Sequence, residues 1–198
     1  QSFSTVSQWS RDYTLSFSEY EMGAADVPTL QSFASALHND QWILLAGRTN
    51  GLHGFSGDGI ENFPPKYQNT DVWVIDPVTK ESWSRSLEDP SSGLNQSIIA
   101  SLTATNTQSY QDGNTLFIVG GYVFDGTTNQ FTTYNALSAL DLPSLVNWVK
   151  GTDTSLASNA ILQTPGDAST DESYYGGYFA LTGGGLERVS QHDHRYQV

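Results

Sequence analysis

A chain of 198 residues is long enough to bury a sizeable core as one domain or two small ones, and 12% aromatic residues argue against intrinsic disorder. The formal net charge of -13 argues against nucleic acid and anionic membrane surfaces as partners, because both attract basic proteins. The sequence contains no cysteine, which excludes disulfides and thiolate chemistry, and no apolar run has the length of a membrane span.

The N-terminal segment predicts a lone strand. Residues 8–15, "QWSRDYTL", echo residues 82–87, "SWSRSL", and Trp9 lies 74 positions before Trp83. We therefore expect residues 1–17 to form a fourth strand whose three neighbours lie elsewhere. The sequence starts at Gln1 without a basic and apolar leader, as a processed exported protein would, so we expect an extracellular or periplasmic location.

Three apolar runs that end in glycine predict the second strands of similar units. They are "WILLAG" (42–47), "LFIVGG" (116–121) and "YFALTGG" (178–184). Short polar turns, "HND" and "QDGN", precede the first two runs, and the apolar segments "SFASAL" (32–37) and "SIIASLTA" (97–104) precede the turns. Strand, tight polar turn and strand is the pattern of an antiparallel hairpin.

An Asp–Trp motif follows each of the first two runs. "VIDPVTKESW" (74–83) and "ALDLPSLVNW" (139–148) each place an aspartate seven positions before a tryptophan. We predict that the residues before each aspartate form a third strand, that the carboxylate caps a turn, and that Trp83 and Trp148 open a fourth strand. Repeated units of four antiparallel strands indicate a β-propeller. A β-sandwich with short strands is the alternative, although it does not account for the fixed spacing.

With these motifs the chain resembles the Kelch-type β-propeller family over residues 31 to 190. The resemblance rests on the Asp–Trp motif and on two glycine pairs that close second strands, Gly120-Gly121 and Gly183-Gly184. The sequence departs from the family where Ala46-Gly47 replaces a glycine pair. It departs again where Ile75 and Leu140 replace the aromatic residue that the family favours before the aspartate.

The resemblance implies an all-β fold, namely a propeller of four-stranded antiparallel, Kelch-like blades whose ring is incomplete in this chain. It divides the chain into a lone fourth strand (1–17), one blade (31–89), a second blade (96–150) and a partial blade (158–198). Propellers typically have about 4–8 blades, so we expect the remaining part of the propeller to come from another segment or another chain.

The longest loop between a second and a third strand carries most of the polar candidates for binding. It spans residues 48–71, and loops of this kind gather at one mouth of a propeller, where ligands bind. We predict a ligand-binding site from four of its side chains: Arg48, His53, Asp58 and Tyr67. In the structural alternative, Arg48 pairs with a carboxylate of a neighbouring blade and His53 bonds loop carbonyls.

Metal-binding candidates are fewer. His192 and His194 alternate along a predicted strand and would point to one side, so both could face one ion, while a solvated polar strand is the alternative. Residues 124–130 and 170–177 contain carboxylate and amide oxygens suited to calcium, but not the spacing of a calcium loop. We predict no other cofactor. A glycosylation sequon, "NQS", begins at Asn95.

The predicted function is a non-enzymatic binding or scaffold module of an exported Kelch-like propeller, contacting a protein or a glycan through its loops. The alternative is part of a carbohydrate-active propeller enzyme, such as a lyase, an epimerase or a mutarotase. An enzyme should bring an arginine, a histidine and a carboxylate from several blades into one pocket. A binding module should present an aromatic and polar rim instead.

Overall fold

The computed structural model describes residues 14–54, 59–126, 128–134 and 136–165, and the backbone of two further strands at 178–182 and 185–189. Most of its regular structure is antiparallel β-sheet. The first sheet has four strands in the order of the chain: β1 (Ala34–His38), β2 (Gln41–Leu45), β3 (Asp71–Asp76) and β4 (Glu81–Ser86).

A second four-stranded sheet repeats this order with a hairpin inserted. The strands that follow β4 are β5 (Gln108–Asp112), β6 (Thr115–Val119), β7 (Tyr122–Asp125), β8 (Gln130–Thr133), β9 (Ala136–Asp141) and β10 (Ile161–Pro165). The sheet consists of β5, β6, β9 and β10, while β7 pairs with β8. A later hairpin pairs β11 (Tyr178–Thr182) with β12 (Gly185–Val189). The all-β prediction is therefore confirmed at the level of antiparallel four-stranded sheets.

The tight turns of the first sheet follow the sequence prediction. Asn39 and Asp40 join β1 to β2 with φ of 49° and 60°, as a type I′ turn requires. The Oδ1 atom of Asp76 accepts hydrogen bonds from the backbone N–H groups of Val78 and Thr79, both at 2.9 Å. The predicted aspartate cap is confirmed here, and Trp83 lies in β4 as expected.

The prediction that Trp148 opens a fourth strand is wrong. Residues after Asp141 form helix α3 (Leu142–Val149), and the fourth strand of this sheet is β10. The Asp141 carboxylate accepts from the N–H of Ser144 at 3.0 Å and so caps a helix rather than a β-turn. A proline in the first turn and apolar residues at helical spacing favour the helix, which buries Leu142, Leu145, Val146, Trp148 and Val149.

The prediction of a strand over residues 97–104 is also wrong. Helix α2 (Gln96–Leu102) occupies most of this segment, and β5 pairs with β6 in its place. Asn95 caps α2 by accepting from the N–H of Ile98 at 2.9 Å. A short helix, α1 (Gly59–Asn62), lies in the long loop of the first sheet.

The core joins the two sheets. One cluster of buried side chains contains residues from the first sheet, the second sheet and both longer helices, among them Ile43, Leu45, Val72, Val74, Leu102, Leu116, Ile118, Leu140, Leu145 and Trp148. The first strands of the two sheets are bridged directly, because the Gln111 side chain bonds both the N–H and the carbonyl of Leu37 at 2.8 and 2.7 Å. Helix α3 lies against β3 and β4 of the first sheet and β9 of the second.

The glycines that end β2 and β6 are explained by geometry. Gly47 and Gly121 have φ of 80° and 96°. A Cβ atom on Gly47 would lie 2.5 Å from the carbonyl oxygen of Gln31, and one on Gly121 would lie 2.6 Å from Cγ2 of Thr107. Both positions thus require glycine for backbone conformation and for space.

Candidate binding site

The loops that follow β2 and β6 leave the two sheets in the same way and at the same end. In the first loop, Arg48 forms an antiparallel β-bridge with Gln68; in the second, Tyr122 pairs with Thr133 as part of the β7–β8 hairpin. The N–H of Asn69 donates to Gly47 at 3.0 Å, as that of Tyr134 donates to Gly121 at 2.9 Å. Each loop therefore begins as a short two-stranded ribbon whose returning strand is hydrogen-bonded to the glycine that follows β2 or β6.

Aromatic side chains from both ribbons meet and form a surface that we call the aromatic rim: His53, Phe63, Tyr122, Phe124 and Phe131. The Phe63 ring lies 5.2 Å from that of Tyr122 and 6.4 Å from that of Phe131. Tyr122 and Phe131 stack at 5.2 Å with planes 12° apart. Because all of these rings are only half-buried, the rim combines mutual packing with a face open to contact.

Arg48 lies beneath the rim and holds the long loop together. Its guanidinium carbon is 4.9 Å from the centre of the Phe63 ring, and Nε and Nη2 donate to Oδ1 of Asn50 at 3.1 and 2.8 Å. The residue is only 4% exposed, and this burial lowers the pKa of Arg48 from its ordinary value. Arg48 thus positions the rim. Its partner is the amide oxygen of Asn50, and not the carboxylate of a neighbouring blade that the sequence suggested as an alternative to ligand binding.

The other predicted ligand residues take different positions. His53 packs on Phe63 with ring centres 4.4 Å apart, and its Nδ1 lies 2.6 Å from the carbonyl of Gly54. Since a carbonyl can only accept, Nδ1 is the donor in this hydrogen bond. Tyr67 lies under the ammonium of Lys66, at 4.8 Å, and its carbonyl accepts from the N–H of Thr49 at 2.9 Å. Asp58 lies outside the described residues.

Sequence reasoning missed the hairpin side of the rim. Tyr122 and Phe124 are two positions apart on β7, and Phe131 faces Phe124 across the ladder. Alternation with a period of two, followed by an aromatic residue in the returning strand, was the signal in the sequence that could have revealed them. Gln68 links the two loops, because its Oε1 accepts from the N–H of Phe124 at 3.4 Å.

A cleft opens beside the rim, where the chain enters β1 and β5. We call it the mouth cleft; its volume is about 440 Å³ and its lining residues are Ser32, Phe33, Asn106, Thr107, Gln108, Gly121 and Tyr122. A second gap, under the rim next to Arg48 and Phe63, has a volume of only about 10 Å³, which is the room that one water needs. Tyr122 lines both spaces, so the rim and the mouth cleft form one continuous surface.

The metal predictions gain no support from the described residues. His192, His194 and residues 170–177 lie outside them. Of residues 124–130, residue 127 also lies outside the description. Phe124 and Asp125 end β7, Gln130 begins β8, and Thr128 donates to a carboxylate oxygen of Asp125 at 2.9 Å. In the part of the chain that the structure describes, no group of three metal-ligating side chains is found.

Comparisons with known proteins do not assign the chain to a family. Neither a protein-family model nor a curated protein sequence matches it. Among the described residues, no helix has the length and apolar character needed to cross a bilayer.

Proposed function

We propose that this chain is a binding or scaffold module of an exported, Kelch-like β-propeller, which contacts a protein or a glycan through the loops at its aromatic rim. The observation that carries the proposal is the meeting of two separate inter-strand loops in one aromatic and polar surface. Half-buried aromatic rings flanked by polar groups are typical of recognition surfaces, since each ring offers a large contact area with few torsions to fix.

The packing of the two sheets supports the propeller part of the proposal. By the 74-residue offset, Ile43 and Leu45 correspond to Phe117 and Val119, yet the first pair is buried in the shared core and the second is half-exposed. Conversely, Leu116 is buried, whereas its counterpart Trp42 is 46% exposed. The sheets therefore meet through opposite faces, as consecutive blades of a propeller do, and each has a second apolar face that the described residues leave partly uncovered.

Such stacking implies that the remaining part of the propeller, as another segment or another chain, covers those two faces. Oxidative footprinting of the native protein tests this at matched side chains. We expect Trp42 and Tyr110, on the two uncovered faces, to be labelled far less than Tyr20, which is 60% exposed outside the sheets. Labelling of Tyr110, whose exposed fraction is 44%, at the level of Tyr20 would count against further blades.

The second claim of the proposal, that ligands bind at the aromatic rim, is tested with two equally exposed apolar residues at opposite ends of the first sheet. Leu52, in the loop that carries the rim, is 81% exposed, and Val78, in the turn between β3 and β4, is 80% exposed. Ligands are first found by screening the native protein against glycan and protein panels. We then expect Leu52→Ser combined with His53→Ala to weaken the interaction by about tenfold or more, and Val78→Ser to leave it unchanged.

An equal loss in both variants, or no loss in either, would contradict a site at the rim. Turnover of a bound glycan would replace the proposal with its alternative, a carbohydrate-active propeller enzyme.

A further inference from the structure

We infer that the mouth cleft binds one unit of a neutral saccharide. The inference rests on the proposed binding function and narrows it to one ligand class and one place. The cleft volume of about 440 Å³ lies within the range of about 300–1,000 Å³ that small-molecule sites occupy.

The wall of the cleft is built from the same backbone feature in both sheets. Ser32 and Asn106 are equivalent residues, 74 positions apart, and both have left-handed backbone conformations with φ of 55° and 59°. The N–H of Asn106 donates to the carbonyl of Ser32 at 3.2 Å, which ties the two strand entries together. Non-glycine residues in this conformation carry strain, and such residues concentrate at binding and active sites.

Polar side chains line the cleft without using their hydrogen-bonding capacity on the protein. Within the described part of the chain, the side chains of Ser32, Asn106 and Gln108 make no hydrogen bond, and two of the three end in amides that both donate and accept. The hydroxyl of Thr107, which is nine-tenths buried, has no partner there either. Sugar hydroxyls are the neutral groups that match such a mixture of donors and acceptors.

Aromatic rings supply the complementary apolar contact. Phe33 is 40% exposed at one side of the cleft, and Tyr122 lies at the other. A pyranose has an apolar C–H face and a hydroxyl edge, so it can use a ring and an amide together. Among the described residues, no charged side chain lines the cleft, and the guanidinium of Arg48, beneath the rim, is bonded to Asn50. Because the whole chain carries a formal net charge of -13, a neutral sugar is favoured over an anionic one.

The test is a titration of the full native chain with glucose, galactose, mannose and N-acetylglucosamine, followed by saturation-transfer NMR, with glucuronate as the anionic comparison. Asn106→Gly removes the amide while keeping the left-handed backbone, and Asn39→Gly makes the same change at φ 49° in the turn at the opposite end. We expect at least one neutral sugar to bind, and Asn106→Gly and Phe33→Ala each to weaken it by about tenfold or more. Asn39→Gly should leave binding unchanged.

Three results would overturn the inference. One is tighter binding of glucuronate than of any neutral sugar, and another is equal weakening by Asn39→Gly and Asn106→Gly. The third is that no neutral sugar binds while a protein partner still binds at the rim, which would leave the proposed function intact. If neither a sugar nor a protein partner is found, the inference and the proposed function fail together.

Discussion

The two four-stranded sheets share an inner framework and differ at their outer edge. In both, a closing glycine, a bridge at the strand entry and the ribbon after the second strand recur at the same offsets. After the third strand, the first sheet makes a short turn at Asp76, whereas the second inserts α3 before its fourth strand. The inner positions are constrained by contact between the sheets, while the outer edge has room for an insertion.

The comparison shows that one aspartate can begin two different structures. In "DPVTKESW" the carboxylate of Asp76 caps a β-turn that ends with Lys80 at φ 60°. In "DLPSLVNW" the carboxylate of Asp141 caps a helix, because the residues after it place apolar side chains at helical spacing. The aspartate therefore marks an end of a strand, and the next four residues decide between a turn and a helix.

The largest difference between the sheets is expected at the two tryptophans. Trp148 is fully buried and its Nε1 donates to Oγ of Ser91 at 3.0 Å, so Trp148→Ala should lower the free energy of unfolding by about 3–5 kcal/mol. Trp83 is partly buried, with the Lys150 ammonium 4.1 Å from its ring, and Trp83→Ala should cost about 1–2 kcal/mol. Denaturant titration measures both, with Trp148→Phe as the milder variant if the alanine variant does not fold. Equal losses would mean that the two indoles occupy similar surroundings after all.

In contrast to the two tryptophans, the glycines that follow β2 and β6 should cause equal losses of stability when each is replaced. Gly47→Ala and Gly121→Ala each force a Cβ atom into backbone or core neighbours at 2.5 to 2.6 Å in a left-handed conformation. Each should cost at least about 2 kcal/mol of stability. Gly51 has a φ of 74° but open space where a Cβ atom would lie. Gly51→Ala therefore measures the cost of the left-handed backbone conformation without a steric clash. A loss at Gly47 no larger than that at Gly51 would refute the steric part.

The residue just before the closing glycine is alanine in the first sheet and glycine in the second. Replacing each with the other tests how much the left-handed backbone conformation costs at this position. Ala46 has φ of 64° and occupies the position of Gly120, whose φ is 69°. Gly120→Ala should cost about 1 kcal/mol, while Ala46→Gly should change stability by less than about 1 kcal/mol, because relief of backbone strain offsets the lost methyl group. Urea unfolding of the two single variants tests this, and a large loss in Ala46→Gly would show that the methyl group outweighs the strain.

The smallest expected effect is a pH dependence at the turn of the first sheet. The N–H of Thr79 and the side-chain amide of Gln41 hold the pKa of Asp76 below its ordinary value. Folding therefore gains stability from this carboxylate above about pH 4, and loses it as the pH falls toward the lowered pKa. Asp76→Asn should have a lower melting temperature at pH 7 and converge with the wild type in acid. Glu19→Gln controls for the charge change, and a constant difference at every pH would contradict the linkage.

Several parts of the fold could be predicted because local chemistry decides them. "HND" before "WILLAG" predicts a hairpin, since Asn39 and Asp40 tolerate the left-handed conformations of a type I′ turn. The same reasoning placed β3 and β6 in strands. The candidate site was anticipated only in part: the sequence singled out Arg48 and His53, which the structure places at the rim, but not the rings of the inserted hairpin.

By itself the sequence determined β1 to β4, β6 and β9, the tight turn at Asn39 and Asp40, and the need for glycine after two of the strands, because each depends on the backbone conformations open to a few adjacent residues. Only the tertiary structure decided that residues 96–102 are helical, since their apolar side chains satisfy either a strand or a helix until a surface is present to bury them. It also decided that Phe63 meets Tyr122 and that Arg48 serves the loop, because contacts between distant segments depend on how the sheets stack.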